Sequence, residues 1–222
     1  MANVDQDQII NDVKDQLVWD AQVDATDIDV SVDENGVVTL TGTVPSFSAQ
    51  RAARLDAWSV LGVTGVNSEL TVTYPEAITL PSDDEIESNV ENVLLWNASV
   101  DSTDIDVGVT AGVVTLEGSV SSFWRKLRAE DLAEDVVGVI SVTNNLAVVP
   151  TESYVDADIA TDIVDSLERK AAVNADNVNI RVEEGRVTLS GTVPSFNAWS
   201  LAYDSARFTA GVIDVEDELT IV

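Results

Sequence analysis

The sequence predicts an α+β fold of three tandem small αββαβ domains, each a three-stranded mixed sheet with two helices on one face. Two observations support this prediction. The pattern V-T-L-x-G-x-V-x-S-F occurs three times, and its glycine recurs as Gly42, Gly118 and Gly191, at spacings of 76 and 73 residues. A repeat of this length is a whole domain rather than a solenoid unit. Within each copy, apolar residues first follow a helical period and then alternate as in strands.

Two short joints separate the copies. Copy one covers residues 5–73, copy two residues 82–149 and copy three residues 156–222. Each joint starts at or near a proline, which favours a stiff spacer over a long flexible linker. Because a copy of roughly 70 residues can bury only a small core, we expect three separate cores.

Each copy begins with a predicted amphipathic helix. Apolar residues at helical spacing form its buried face: Ile9, Ile10, Val13, Leu17 and Ala21 in copy one; Ile86, Val90, Leu94 and Ala98 in copy two; Ile159, Ile163, Leu167 and Ala171 in copy three. Ser82 and Glu85 have the spacing of a capping box at the start of the second of these helices.

A hairpin, a second helix and a last strand complete each copy. Glycines predict the hairpin turns, at Gly36, Gly112 and Gly185. Serines precede the second helices as expected N-caps, at Ser46, Ser122 and Ser195. Paired alanines four residues apart predict a small-residue stripe facing the sheet: Ala53 and Ala57, Ala129 and Ala133, Ala202 and Ala206. Glycine inside the second strand indicates a bulge or a close backbone approach.

The charge of the chain is extreme and dispersed. Against 11 Lys and Arg there are 40 Asp and Glu, which gives a net charge of −29. Acidity spread over the whole sequence, with few lysines, predicts a protein from a salt-loaded halophile cytoplasm, where self-repulsion is screened. Nucleic acid is not an expected partner, because phosphate binding needs clustered basic residues.

Several function classes are excluded by residues that the sequence lacks. With no Cys and no His, disulfides, Cys/His zinc sites and Ser-His or Cys-His catalytic pairs cannot form. We predict that the protein is not an enzyme and has no catalytic, cofactor-binding or metal-binding residues. No apolar run is long enough to span a membrane, and the N-terminal residues lack the pattern of a signal peptide, so a cytoplasmic location is expected.

These motifs resemble the BON domain, named after bacterial OsmY and nodulation proteins. The resemblance rests on V-x-L-x-G-x-V-x-S and on A-x-x-x-A-x-x-V-x-G-V, the latter seen as Ala53, Ala57, Val60, Gly62 and Val63. It extends over nearly the whole chain in three copies. In copy three, Thr209 replaces the valine of the second motif.

The resemblance implies a non-catalytic module. Members of the family are usually envelope or periplasmic modules that are tied to osmotic stress and to phospholipid surfaces. Others act as protein interaction modules, and some are linked to potassium binding. No catalytic residues are attributed to the family.

Trp19 and Trp96 are the first candidate contact residues. They occupy equivalent positions on the first helices, away from the apolar face, and Arg169 takes this position in copy three. We expect them to contact a neighbouring copy or another chain. A lipid surface is the alternative, because an indole also suits a membrane interface. The other tryptophans occupy non-equivalent positions, which argues against one shared aromatic site.

A basic cluster in copy two is the second candidate. Trp124 adjoins Arg125, Lys126 and Arg128, the densest basic stretch in the chain. It is the surface best suited to lipid headgroups, and the alternative is a helix face that forms ordinary ion pairs with Glu130 and Asp131.

Acidic triplets could hold cations. Asp24, Asp27 and Asp29 recur as Asp101, Asp104 and Asp106, whereas copy three has mainly asparagines there. Carboxylates can bind hard cations, but the alternative is a solvated strand edge.

Three functional hypotheses follow. The first is a non-catalytic scaffold of a halophile, related to osmotic or general stress, that contacts other proteins or self-associates. The second is a peripheral phospholipid-binding protein, and the third is a binder of a monovalent cation such as potassium.

Overall fold

The computed structural model describes residues 5–74 and 79–222, and in each copy the element order is helix, strand, strand, helix, strand. The six helices are α1 (Gln6–Trp19), α2 (Phe47–Ser59), α3 (Asp83–Trp96), α4 (Phe123–Glu134), α5 (Asp156–Glu168) and α6 (Phe196–Arg207). The strands are β1 (Ile28–Val32), β2 (Val37–Val44), β3 (Gly65–Val72), β4 (Ile105–Thr110), β5 (Val113–Val120), β6 (Ser141–Asn144), β7 (Ala147–Val148), β8 (Val178–Glu183), β9 (Arg186–Val193) and β10 (Asp214–Ile221). The predicted α+β class with three tandem domains is confirmed.

Each domain contains one mixed sheet with its second strand in the centre. In domain 1 the order is β1-β2-β3, with β1 antiparallel and β3 parallel to β2. Domain 3 repeats this arrangement with β8, β9 and β10. In domain 2 the last strand is divided into β6 and β7, and both pair with β5.

Both helices of each domain contribute to one core on the sheet. In domain 1 the α1 residues Ile9, Val13 and Leu17 and the α2 residues Ala53 and Ala57 are buried together with strand residues. The predicted alanine stripes are fully buried in all three domains. Because an alanine side chain is short, the second helix can lie close to the sheet.

One part of the predicted helix face is wrong. The first helices end at Trp19, Trp96 and Glu168, so the last alanine of each predicted face lies beyond the helix and is exposed: Ala21, Ala98 and Ala171. The valine two residues later is buried in its place: Val23, Val100 and Val173.

The serine caps are confirmed in part. Ser46 and Ser195 accept hydrogen bonds from the N–H groups of Ala49 and Ala198. Ser122 occupies the N-cap position of α4, but its side chain makes no capping hydrogen bond. The predicted capping box at Ser82 and Glu85 is present in both directions.

The glycine of the repeated pattern permits a close approach between neighbouring strands. Gly118 has φ +109°, and a β-carbon there would lie 2.0 Å from the carbonyl oxygen of Asp104. Gly42 and Gly191 show the same contact with Asp27 and Asn177. No larger residue fits this position without displacing the first strand, so the close approach expected from the sequence is confirmed.

The second helices of the three domains contact one another in a cyclic order. The first half of α2 meets the end of α4, the first half of α4 meets the end of α6, and the first half of α6 meets the end of α2. We call this arrangement the helix ring. It is head-to-tail contact that closes after three steps, as in a cyclic trimer.

The chemistry of the three contacts in the helix ring differs. Between domains 1 and 2, Arg51 forms ion pairs with three carboxylates, and between domains 1 and 3 aromatic rings stack. Between domains 2 and 3, Phe123 is 5% exposed and belongs to the core cluster of domain 3, with Leu127 packed against it. Each of these contact surfaces is therefore complementary to only one neighbouring domain.

Arg51 makes the ionic contact with the end of α4. Its Nη1 lies 3.0 Å from Asp131 Oδ1 and 2.9 Å from Glu134 Oε2, and its Nη2 lies 2.9 Å from Asp135 Oδ1. One positive charge is thus shared among three carboxylates. Burial raises the pKa of Glu134 to about 7, Arg51 opposes that rise, and the nearby Glu130 adds to it.

Replacing Gly118 by alanine should destabilise domain 2. The added β-carbon would collide with the Asp104 carbonyl, and we expect a loss of about 2–4 kcal/mol in the free energy of unfolding of that domain. Hydrogen exchange of the β4 and β5 amides measures this loss for one domain. Gly108→Ala in β4 is the matched control, because a β-carbon there meets nothing within 4 Å. Equal exchange in the two variants would contradict the prediction.

Stability should fall as the pH rises through the range in which Glu134 loses its proton. The folded-state pKa of Glu134, about 7, lies above its ordinary value of 4.5. The folded state therefore binds this proton more tightly than the unfolded state, and the resulting stabilisation is lost as the pH rises from about 4.5 through 7. We expect the melting temperature to fall between about pH 5 and 7.5, and to fall less in Glu134→Gln. The control Glu91→Gln, at an exposed position, should have the same dependence of melting temperature on pH as the wild type. If Glu134→Gln also has this dependence, the assignment of the pH effect to Glu134 is wrong.

Candidate functional site

Two exposed apolar residue pairs lie at the ends of equivalent helices. Trp19 and Trp96, the last residues of α1 and α3, are each 83% exposed. The residues before them, Val18 and Leu95, are 75% and 68% exposed. We call Val18 with Trp19, and Leu95 with Trp96, the two tryptophan tips.

The tips do not contribute to the folding of the chain. Leu17 and Leu94 fill the core position in the last turn of their helices, and this leaves the following two residues on the outside. The expected contact of Trp19 and Trp96 with a neighbouring copy is therefore wrong within this chain. Contact with another chain or with lipid stays a prediction.

Side chains of the basic cluster of domain 2 contact neighbouring residues of the same domain. The guanidinium of Arg125 lies 5.1 Å from the ring centroid of Trp124, and its Nε donates to the carbonyl of Ser99 at 3.2 Å. Arg125 also donates to the hydroxyl of Ser121. Lys126, like its neighbours, is only partly exposed.

Arg128 and Trp124 face domain 3. Together with Leu127 and Asp131 they line a crevice of about 70 Å³ against Arg207 and Phe208. These side chains help to form the contact between α4 and the end of α6. Contact of this cluster with lipid headgroups stays a prediction, since its side chains remain partly exposed.

The acidic neighbours of this cluster have other partners. Asp131 pairs with Arg51 of domain 1, and Glu130 accepts a hydrogen bond from Asn144 at 3.0 Å. Within residues 5–74 and 79–222, neither carboxylate forms an ion pair with the basic cluster. The predicted pairing of the cluster with Glu130 and Asp131 is therefore wrong.

An aromatic stack joins domains 1 and 3. Trp58, at the end of α2, lies 5.2 Å from Phe196 and 6.4 Å from Trp199 between ring centroids, and Trp199 lies 5.4 Å from Tyr203. The Trp199 indole donates to Asp217 at 2.6 Å. Sequence reasoning missed this site, because Trp58 and Trp199 occupy different helix positions. The head-to-tail arrangement brings the end of one helix to the beginning of the next, and so brings different helix positions together.

A mainly apolar cavity adjoins this stack, and we call it the domain 1–3 cavity. Its volume is about 510 Å³, and fourteen residues line it: Trp58, Ser59, Val60, Leu61, Gly62, Val63, Thr64, Pro194, Ser195, Phe196, Asn197, Ser200, Ile221 and Val222. None of these side chains is charged, although 23% of the chain is Asp, Glu, Lys or Arg. The cavity is therefore suited to a neutral ligand rather than an ion.

The acidic triplets have a structural role at their first residue. Asp101 accepts from the hydroxyl of Thr103 at 2.7 Å and from its N–H at 3.2 Å, and these hydrogen bonds lower the pKa of Asp101. Asp24 and Asn174 accept in the same way from the second residue beyond them. In the part of the chain that the structure describes, no group of three or more acidic residues is arranged to hold a metal ion.

No helix within the described ranges is both long and apolar enough to cross a membrane.

Comparison with known proteins identifies the family of all three domains and relatives that match about two thirds of the chain. The family model described as "BON domain" matches residues 5–74, 82–150 and 155–222. The chain is 36% identical over 146 residues to Osmotically-inducible protein Y of Escherichia coli, which covers 64% of this chain and 72% of that protein. It is 30% identical over 142 residues to Outer membrane lipoprotein DolP of Haemophilus influenzae, which covers 64% of this chain and 73% of that protein.

A solved structure of CdsD, a structural protein of the type III secretion system of Chlamydia trachomatis, also matches. It covers 97% of this chain and 92% of its own, but the TM-score of 0.27 and the identity of 12% are too low to indicate a shared arrangement. The family model in three places, together with two relatives at 30% identity or more, is sufficient: the chain belongs to the BON domain family.

Proposed function

We propose that the protein is a non-catalytic binding protein, in which three BON domains form one scaffold and the tryptophan tips contact another protein or a second copy of the chain. The exposure of Trp19 and Trp96 carries this proposal. Exposed tryptophan is costly in water and is enriched where proteins bind one another.

The helix ring supports the role of a scaffold. Three chemically different contacts hold the domains, so α1 and α3 are held at fixed positions relative to each other. Two tips at fixed separation can bind one partner surface together, and a bivalent contact is stronger than either tip alone. Domain 3 has Arg169 at the equivalent position and takes no part in this contact.

We further propose a role in osmotic or general stress in a halophile. A relative is named as osmotically inducible, and the net charge of −29 suits a cytoplasm rich in salt. The cytoplasmic location stays a prediction, since another relative is named as an outer membrane lipoprotein.

Peripheral binding to phospholipid is the second candidate function. A tryptophan beside an exposed aliphatic residue suits a membrane interface, and the tips have this composition. The acidic surface opposes binding to anionic lipid at low salt, and molar salt screens this repulsion. Binding of a monovalent cation stays a weaker alternative, because Asp24 and Asp101 already accept backbone hydrogen bonds.

Self-association should depend on the tryptophan tips. In molar KCl we expect sedimentation velocity to show an oligomer that forms with increasing protein concentration. The double variant Trp19→Ser/Trp96→Ser should weaken this association at least about tenfold, because each buried indole contributes more than about 1 kcal/mol. Val137→Ser is the matched control, because this exposed valine lies away from the tips.

Flotation with vesicles of native-like anionic lipid in the same salt separates the two candidate functions. The proposal expects no co-flotation. If the wild type and Val137→Ser co-float with the vesicles and the double variant does not, the tips bind lipid rather than another protein. A chain that stays monomeric and does not float would contradict both functions of the tips.

The fold should depend on salt. At about 10 mM salt the Debye length is near 30 Å, so the carboxylates repel one another across a whole domain, whereas about 1 M salt reduces it to near 3 Å. We expect circular dichroism to show loss of structure, or a clearly lower melting temperature, at low salt. Full folding with an unchanged melting temperature at about 10 mM salt would contradict the halophile assignment.

A further inference from the structure

A charged cavity of about 300 Å³ lies between domains 1 and 2, and we call it the domain 1–2 cavity. Five polar residues of its lining, from both domains, matter here: Arg51, Arg54, Ser68, Glu130 and Glu134. On either side of residues 75–78, Tyr74 and Pro81 contact the turn at Gly138 and do not line the cavity. The five polar residues belong to α2, β3 and α4, so the folds of two domains hold them in place.

A short side chain at one strand position leaves space beside α2. In domain 2 this position is Asn144, which donates to Glu130 at 3.0 Å, and in domain 3 it is Asp217, which accepts from the Trp199 indole at 2.6 Å. Domain 1 has Ser68 there. The Ser68 hydroxyl is buried, and within residues 5–74 and 79–222 it has no hydrogen-bond partner. Because a buried hydroxyl without a partner is costly, a ligand that bonds to it gains affinity.

The cavity also holds charges of opposite sign that do not pair with each other. Arg54 lies on α2, whereas Glu130 and Glu134 lie on α4. Among residues 5–74 and 79–222, Arg54 forms no ion pair. Each glutamate is bonded through its Oε2 atom, Glu130 to Asn144 and Glu134 to Arg51. In these ranges the Oε1 atoms and the Arg54 guanidinium are therefore available to a ligand.

The glutamate side of the cavity lacks positive charge. The single guanidinium of Arg51 is shared among three carboxylates. Burial raises the pKa of Glu134 to about 7, although Arg51 opposes this rise. An ammonium group placed beside Glu134 would supply the charge that this carboxylate lacks.

We propose that the domain 1–2 cavity binds a small free α-amino acid as a zwitterion. Its ammonium group would donate to Glu130, Glu134 and the Ser68 hydroxyl. Its carboxylate would accept from the Arg54 guanidinium. The volume of about 300 Å³ lies at the lower end of the range for small-ligand sites, which suits a molecule of this size.

The charges favour a zwitterion over a simple ion. An anion that binds Arg54 would be repelled by the two glutamates, and a cation that binds the glutamates would be repelled by Arg54. An α-amino acid carries both charges at a short, fixed separation and satisfies both sides together. Phe47 and Val142 line the same cavity and offer apolar surface to an aliphatic side chain such as that of valine.

The test uses L-valine and two analogues. Isobutylamine is valine without its carboxylate, and isovalerate is valine without its ammonium group. Titration of valine into the ¹⁵N-labelled full chain in molar KCl should shift the amide signals of Ser68 and Glu134 saturably, because salt screens partly buried pairs much less than exposed ones. Each analogue should bind at least about tenfold more weakly, because it lacks one charge-assisted contact.

Two variants locate the binding. Arg54→Gln removes the partner of the carboxylate and should weaken valine binding at least about tenfold. Arg169→Gln is its matched control, because Arg169 is equally an exposed arginine but lies after α5 in domain 3, so this variant should bind like the wild type. Ser68→Asn places in the cavity the residue that domain 2 tolerates at this position, Asn144, and should weaken binding by filling the space.

Any of three results would overturn the proposal. The first is the lack of a saturable shift at millimolar valine, and the second is equal affinity for either analogue, which would indicate a site for a simple ion. The third is equal affinity of Arg54→Gln and Arg169→Gln for valine. The variant Trp19→Ser/Trp96→Ser should bind valine like the wild type, because the tryptophan tips do not line the cavity, so this proposal and the proposed function fail independently.

Discussion

The head-to-tail contact among α2, α4 and α6 is the constraint on which the arrangement of the molecule depends. Each domain alone has a small core, and the second helix covers one side of it with alanines. The outer side of that helix carries the large residues that meet the next domain, such as Arg51, Trp58 and Phe123. The second helix therefore packs on two sides. Its alanine side lies close to its own sheet, and the side with large residues contacts the neighbouring domain.

The three contacts have the same geometry and different chemistry, and this difference gives the domains their order. An arginine that faces three carboxylates cannot be exchanged for a stack of aromatic rings without leaving charges unpaired. Likewise, Phe123 needs the apolar surroundings that the core cluster of domain 3 provides. Domains that descend from one pattern are in this way kept from pairing with the wrong neighbour.

Much of the fold within a domain could be predicted from the sequence, because local physics determines it. Hydrophobic periods placed the helices and strands, and the glycine inside the second strand indicated the close approach at Asp104. The helix ends were less predictable, since Ala21 continues the helical period although the helix stops at Trp19. The contacts between domains were not predictable, because Trp58 and Trp199 become neighbours only through the cyclic arrangement. For the same reason, the pairing of Asp131 with Arg51 replaced the local pairing expected with the basic cluster.

Two of the three contacts in the helix ring lie between domains that a joint also connects, and the third lies between domains that no joint connects. Domains 1 and 2, and domains 2 and 3, are covalently connected, whereas domains 3 and 1 meet without such a joint, at the Trp58 stack and the cavity beside it. Because the joints keep those two surfaces near each other, the stack forms as an intramolecular event at high effective concentration, and a contact too weak to hold free domains together is enough to close the ring. The chain thus has the arrangement of a cyclic trimer within one polypeptide, with one contact at which it can open: parting the stack breaks no covalent bond, uncovers both aromatic surfaces together, and leaves each domain folded around its own core.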